Sequence, residues 1–273
     1  MKTLIFVNQK GGSGKSILSY NMAHYLADQG ARVLFVDGDE QANSSKSLAL
    51  FAAPGIGASA LFDADLLLLP VTTAATWFGG GILLLRGDAG LRQVEQSGVS
   101  DGELVMRLRA RLAQISERFD YCVIDTAGAN SRVANALLIA SDFAVLPCRI
   151  DPYSIDVATD VLKRVAAIQK SFNRDLVNLG ILANEVDGKF GAQHEWLKQL
   201  RAAYSQFVMP VHVPKRAAYR EACAEGVPVW RLKYSCTDSS NTGPIKSGAR
   251  TAGREVRAVF ASIKNRMLNN EKT

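Results

Sequence analysis

Lys10-Gly11-Gly12-Ser13-Gly14-Lys15-Ser16 decides how the rest of this chain is read. Thr3-Leu4-Ile5-Phe6-Val7-Asn8 runs into it as a strand-sized apolar stretch. Ile17 to Gln29 leaves it with Leu18, Met22, Tyr25 and Leu26 at helical spacing. A strand, a glycine loop and a helix in that order aim backbone N–H groups at a phosphate. The lysine and hydroxyl that close the loop add a cation and a metal ligand. Gln9 stands where the ordinary loop signature has its first glycine, and an extra lysine, Lys10, directly precedes the glycines.

Outward from this loop, short β-type runs alternate with helix-length amphipathic segments. The strands expected are Thr3–Asn8, Arg32–Asp37, Leu66–Pro70, Ile82–Arg86, Tyr121–Asp125, Phe143–Pro147, Val177–Asn184 and Phe207–Pro214. Helices are expected at about 15–29, 101–118, 130–140, 153–171, 191–204, 216–225 and 252–267. Near-continuous Val/Ile/Leu runs suit parallel strands buried on both faces. The alternation predicts an α/β fold: a single doubly wound, mostly parallel sheet with helices on both faces, binding ligands at the carboxyl ends of its strands. Residues 1–273 read as a single domain, with a basic polar loop at about 235–253. Trp77 and Phe78 could form an interaction loop or pack in a core or dimer.

The chain has 273 residues, 48% hydrophobic and 21% charged, the balance of a globular protein. No stretch approaches the roughly 20 apolar residues that span a bilayer, and no leader pattern opens the sequence, so a cytoplasmic protein is expected. Cys122, Cys148, Cys223 and Cys236 form no CxxC pair and read as buried packing. The net charge of +6 is uneven: residues 201–273 carry 13 basic and 5 acidic side chains, so the whole excess lies there. Such a surface suits a polyanion.

The chemistry that fits is phosphoryl transfer to water, which is mostly positioning and charge neutralisation. Lys15 would serve the β- and γ-phosphates and Ser16 a Mg²⁺ ion. Asp125, ending a buried strand, would hold that metal through a water. Gly11, Gly12, Ser13, Gly14 and Ile17 complete the nucleotide cradle.

The double-lysine loop resembles the deviant Walker A motif of the ParA/MinD family of ATPases, and the likeness runs through most of the chain. Asp37-Gly38-Asp39-Glu40-Gln41-Ala42-Asn43 resembles the family's D-x-D-P-Q-x-N motif, with Glu40 in place of proline. Phe119-Asp120-Tyr121-Cys122-Val123-Ile124-Asp125 resembles its F-D-x-x-I-I-D strand. Val213-Pro214-Lys215-Arg216, with Glu221-Ala222, resembles its I-P-R…E-A segment near the base pocket. The resemblance implies that Asp37 lies near Mg²⁺ and that Asp39 orients the attacking water. It implies that Asn184 and the backbone of Pro214 and Lys215 frame adenine. Lys10 would reach the phosphates of a partner subunit in an ATP-dependent homodimer, which hydrolysis would loosen.

Three functions compete. A DNA-partitioning ATPase, weak and stimulated by a cargo-bound adaptor, would bind DNA non-specifically through Lys215, Arg216, Arg220, Lys246, Arg250, Arg254 and Arg257, and would associate with the nucleoid. No helix-turn-helix precedes a loop that begins at residue 10, so sequence-specific reading is not expected. A membrane-cycling switch, or a positioner of a protein cargo, is the alternative. Val256, Val259, Phe260, Ile263 and Met267 share one helical face that could dip into lipid, but core packing explains the same stripe and stable membrane insertion is not expected. An electron-transfer ATPase needs cysteines in glycine-rich loops; Cys122 and Cys148 lie in strands, which argues against it.

Overall fold

In the computed structural model, which describes residues 1–64, 80–128, 130–234 and 243–270, the strand-forming runs assemble into one eight-stranded sheet. In chain order they are β1 (Lys2–Phe6), β2 (Arg32–Gly38), β3 (Ala52–Gly57), β4 (Gly81–Arg86), β5 (Tyr121–Thr126), β6 (Phe143–Arg149), β7 (Val177–Val186) and β8 (Val208–Pro214). Their spatial order is β3-β4-β2-β5-β1-β6-β7-β8, and every described pairing is parallel. The central strand β1 is flanked by β5 and β6, so chain order reverses there and its carboxyl end opens into a crevice.

The intervening segments are helical. They are α1 (Lys15–Ala27), α2 (Asn43–Ser47), α3 (Gly90–Gln96), α4 (Asp101–Ile115), α5 (Arg132–Ile139), α6 (Ser154–Ser171), α7 (Gly191–Ala203), α8 (Ala218–Ala224) and α9 (Ser247–Asn269). Two apolar cores form, one on each face of the sheet. Leu104, Leu108 and Leu112 of α4 and Val161 and Val165 of α6 fill one face. Leu18, Met22 and Leu26 of α1 pack with Val256, Phe260 and Ile263 of α9 on the other. Helix α1 is buried almost all round, because sheet, α8 and α9 surround it.

Three elements were not expected from the sequence. β3 carries Pro54 and Gly55, residues that weaken a strand signal, and is tolerated because it is an edge strand. α2 and α3 are only 5 and 7 residues long, too short for a periodic pattern. The expected loop over 235–253 also needs correction: α9 begins at Ser247, so its last seven residues are helical. Gly253 explains the difference, since a Cβ there would stand 2.5 Å from Cβ of Trp230. Close packing on Trp230 outweighs the poor helix propensity of Gly248 and Gly253. The expected strand Leu66–Pro70 and the Trp77–Phe78 segment lie outside the described residues.

The apolar stripe of α9 is spent inside the molecule: Val256, Phe260, Ile263 and Met267 have no solvent exposure. No described helix is long and apolar enough to cross a membrane.

Candidate functional site

The loop between β1 and α1 is held open by hydrogen bonds at both ends. Asn8 donates from Nδ2 to the Pro147 carbonyl at 2.6 Å, and its Oδ1 accepts the Lys10 N–H at 2.9 Å. Asn184, at the end of β7, donates to the Ser13 carbonyl at 2.8 Å. Gly14 cannot be replaced, because its φ is +92° and a Cβ would meet Asn184 Nδ2 at 2.0 Å. Gly11 and Gly12, in contrast, face open space. Backbone N–H groups from Gly11 to Ser16 donate to no protein group among the described residues, and the buried Ser13 hydroxyl has no partner. A concave run of free donors beside an orphaned hydroxyl is what a nucleoside phosphate would satisfy.

Lys15 is buried, and burial pulls its ammonium below the ordinary lysine range against the opposing pull of Asp125 and Asp39. Asp125 and Asp37 are the penultimate residues of β5 and β2, opposite each other in register. Burial raises both carboxyls above the usual range. Asp125 is relieved by the Ser44 hydroxyl at 2.6 Å and by Ser16 and Lys15. Asp37 accepts the Ser45 hydroxyl at 2.6 Å and the Ser45 N–H at 2.8 Å. Ser16, Asp37 and Asp125 thus bring hard oxygen donors together next to the loop, a set that could hold Mg²⁺. Asp39 stands further out at the rim of a cleft also lined by Gly38, Glu40, Arg92, Glu95 and Ser131.

Sequence reasoning missed Ser44, Ser45 and Gly128. The two serines sit on α2, whose existence was not legible, and bridge to both buried aspartates. Gly128 follows β5 and lies so close that a Cβ would stand 3.3 Å from the Gly11 backbone and 3.5 Å from Lys15 Nζ. Its only signal was its place shortly after Asp125.

Lys10 does not join Lys15. Its Nζ lies 2.6 Å from Asp151, beyond the end of β6, with its side chain 41% exposed. A second cleft, on the α1 side, is lined by Ile17, Asn21, Asn184, Val213, Arg216 and Tyr219 among others. Asn184 and Ile17 are among its lining residues, whereas Pro214 and Lys215 are not. The Lys215 N–H is bound to the Val186 carbonyl at 3.0 Å as β8 ends, and Lys215 Nζ lies 3.8 Å from Asp187.

A family model described as an AAA domain matches residues 1–178. Protein IncC of Escherichia coli is 30% identical over 271 residues, covering 98% of this chain and 70% of that protein. The chain belongs to this AAA-domain family, in its ParA/MinD branch. It is an ATPase. The chromosome-partitioning ATPase Soj of Treponema pallidum is 26% identical over 260 residues, covering 95% of this ATPase and 97% of that one. In structure the ATPase is similar to the apo form of McdA from Cyanthece, with a TM-score of 0.78 at 21% identity, over 98% of this chain and 99% of that one.

The basic residues of the last quarter are mostly engaged. Arg216 makes a fork on Glu255 at 2.7 and 3.0 Å, and Arg220 lies 3.5 Å from Glu185. Lys246 pairs with Glu221 at 2.7 Å, and Arg257 stacks 5.2 Å above the Trp230 ring. Arg250 and Arg254 are exposed on α9 and have no side-chain partner among the described residues. Cys122 and Cys148 are buried in β5 and β6, and among the described residues no three His, Cys, Asp or Glu side chains converge as a metal site.

Proposed function

We propose that this ATPase is a dimerising switch that hydrolyses ATP to partition or position DNA, binding duplex non-specifically in its ATP state, and that residues 1–273 work as one domain. ATP and Mg²⁺ are the ligands that its loop and its oxygen donors fit. Bound Mg²⁺ supplies charge neutralisation for phosphoryl transfer to water. Lys15 holds the central cation of the phosphate cradle. Ser16, Asp37 and Asp125 hold the metal, directly or through water. Asp39, less buried and on the cleft side, orients the water. Lys10 serves a second copy of the chain, since Lys15 already serves the phosphates in cis. Asn184 and Ile17 frame the base.

The observation that carries the DNA reading is the pair Arg250 and Arg254, one helical turn apart on the exposed face of α9 and free of partners among the described residues. Duplication of that face in a dimer doubles the phosphate contacts and steepens the salt dependence. The chromosome-partitioning role of the Treponema relative supports the same reading. Partition also requires a cargo-bound adaptor that stimulates hydrolysis. The membrane-cycling alternative loses its support, because the stripe it needs is buried in the core.

The test is binding of random-sequence duplex to the Asp39→Ala variant loaded with ATP or with ADP. Binding in ATP alone supports the reading. Sedimentation of the ATP form with anionic liposomes, and not with DNA, replaces it with the membrane switch. Binding to neither leaves a positioner of a protein cargo.

A further inference from the structure

Helix α3 touches both loops that flank the phosphate site, and it does so through charged groups in paired geometry. Arg92 forms a fork on Glu40, with Nε–Oε2 at 2.9 Å and the second arm at 3.0 Å. Glu40 immediately follows Asp39, in a turn that closes with Ala42 in the left-handed region at φ 53°. One turn along α3, Glu95 accepts the backbone N–H groups of Arg132 and Val133 at 2.9 and 2.8 Å. Those two residues start α5, directly after the segment that carries Gly128 past Lys15. Arg132 returns the bond: its guanidinium donates to the Ser97 carbonyl at 2.8 Å and pairs with Asp101 at 2.7 Å. At the other end of α3, Asp88 accepts the Gly90 N–H at 2.8 Å. Gly87 packs so tightly on the Asp39 turn that a Cβ would meet the Asp39 carbonyl at 2.1 Å.

We infer that α3 is a brace across the phosphate site, in which Arg92 is a positioning residue that holds Asp39 in place through Glu40. The inference rests on the reading of Asp39 as the residue that orients water. The turn bearing Asp39 leaves the sheet at the end of β2, and past that point its geometry is set by what grips it. A fork of two parallel N–H···O bonds fixes direction as well as distance, which a single contact does not. Glu95 fixes the other end of α3 on the start of α5, so the two walls of the cleft keep a constant spacing. Arg92 touches no reacting group. It acts on turnover only through the orientation of the neighbouring carboxylate, and ground-state nucleotide binding, which depends on Lys15 and the loop amides, does not require it.

The test is steady-state ATP hydrolysis and ADP affinity, by calorimetry with Mg²⁺, for Glu40→Ala, Arg92→Ala, Arg92→Lys, the double alanine variant and the exchange Glu40→Arg/Arg92→Glu, with Asp39→Ala alongside. Expected is a loss of about three- to tenfold in kcat for each alanine variant, with KM and ADP affinity within about twofold of the parent. The double variant is no worse than either single one, the exchange recovers most of kcat, and Arg92→Lys recovers little because it lacks the fork. Both side chains reach solvent, Arg92 at 66% and Glu40 at 33%, so melting temperatures stay near the parent's. Additive losses in the double variant, losses that raise KM equally, or parental kcat in Arg92→Ala while Asp39→Ala is inactive, each overturn the brace and leave the role of Asp39 standing. Parental turnover in Asp39→Ala overturns both.

Discussion

The phosphate-loop centre and the basic last quarter both concentrate charge, and they treat it in opposite ways. At the ends of β2 and β5, Asp37 and Asp125 lie fully buried side by side, with Lys15 buried beside them. Burial raises the carboxyls and lowers the lysine, so none of the three is well compensated within the chain. In the last quarter the charges lie at the surface, and most have a partner: Glu255 for Arg216, Glu221 for Lys246, Asp187 for Lys215. Costly, incompletely paired charge marks a place that a ligand completes. A surplus of surface charge in the sequence, by itself, marks only a balance that nearby acids partly cancel.

The largest effect expected is at the buried centre. Lys15→Ala abolishes measurable binding of ATP and ADP by calorimetry with Mg²⁺, because the cradle loses its central cation while the free loop amides remain. Retained affinity would break the contrast at its strongest point.

Next in size are the two residues proposed to act after binding. Asp39→Ala still binds ATP but hydrolyses it on the order of 100-fold more slowly and accumulates as a dimer. Lys10→Ala keeps ADP affinity, since Lys10 points to Asp151 and not into the loop, yet sediments as a monomer in ATP. An unaltered ATP dimer would remove the role in trans.

How much of this was legible in the sequence follows the same division. The central strands and α1 were legible because burial on both faces writes long apolar runs, and the loop because glycine, lysine and hydroxyl have fixed places. α2 left no trace: Asn43-Ser44-Ser45-Lys46-Ser47 has no periodicity, and only its packing places Ser44 and Ser45 on the buried aspartates. The start of α9 was hidden by Gly248, which faces open space, and by Gly253, whose value lies in closeness to Trp230. The partners of the basic residues were illegible for a different reason, being distant in sequence, as Arg216 is from Glu255. A charge count cannot see such pairing.

His24 lies where the two regions meet, on α1 and within the field of Arg231, which pairs with Asp28. Burial, and then that positive charge, push its imidazole down to about 4, and its Nε2 has no partner. The folded state therefore resists a proton that the unfolded chain accepts below its ordinary value of 6.5. Stability contributed by neutral His24 is present above that value and is lost as pH falls toward 4. Urea unfolding at about pH 7 and about pH 5 should differ by about 2 kcal/mol more in the parent than in His24→Leu. Equal pH dependence in the two would mean that His24 is solvated.

The smallest expected effect separates free from engaged arginine within the basic quarter. Arg250 and Arg254 have no competing acid among the described residues, so a DNA phosphate gains their full interaction. Arg216 must leave its fork on Glu255, and Lys246 its contact with Glu221, before either can serve a phosphate. That exchange returns little, since one charged pair replaces another. With ATP-loaded Asp39→Ala as background, Arg250→Ala/Arg254→Ala should weaken duplex binding by about tenfold and lower the slope of log affinity against log salt by about 2 per subunit. Arg216→Ala/Lys246→Ala removes the same formal charge but should change affinity by about twofold at most. Neither pair should alter preference among sequences, because phosphate contacts carry none. Equal losses from the two pairs would mean that the ion pairs open on DNA and that the whole basic quarter, rather than the exposed face of α9, is the contact surface.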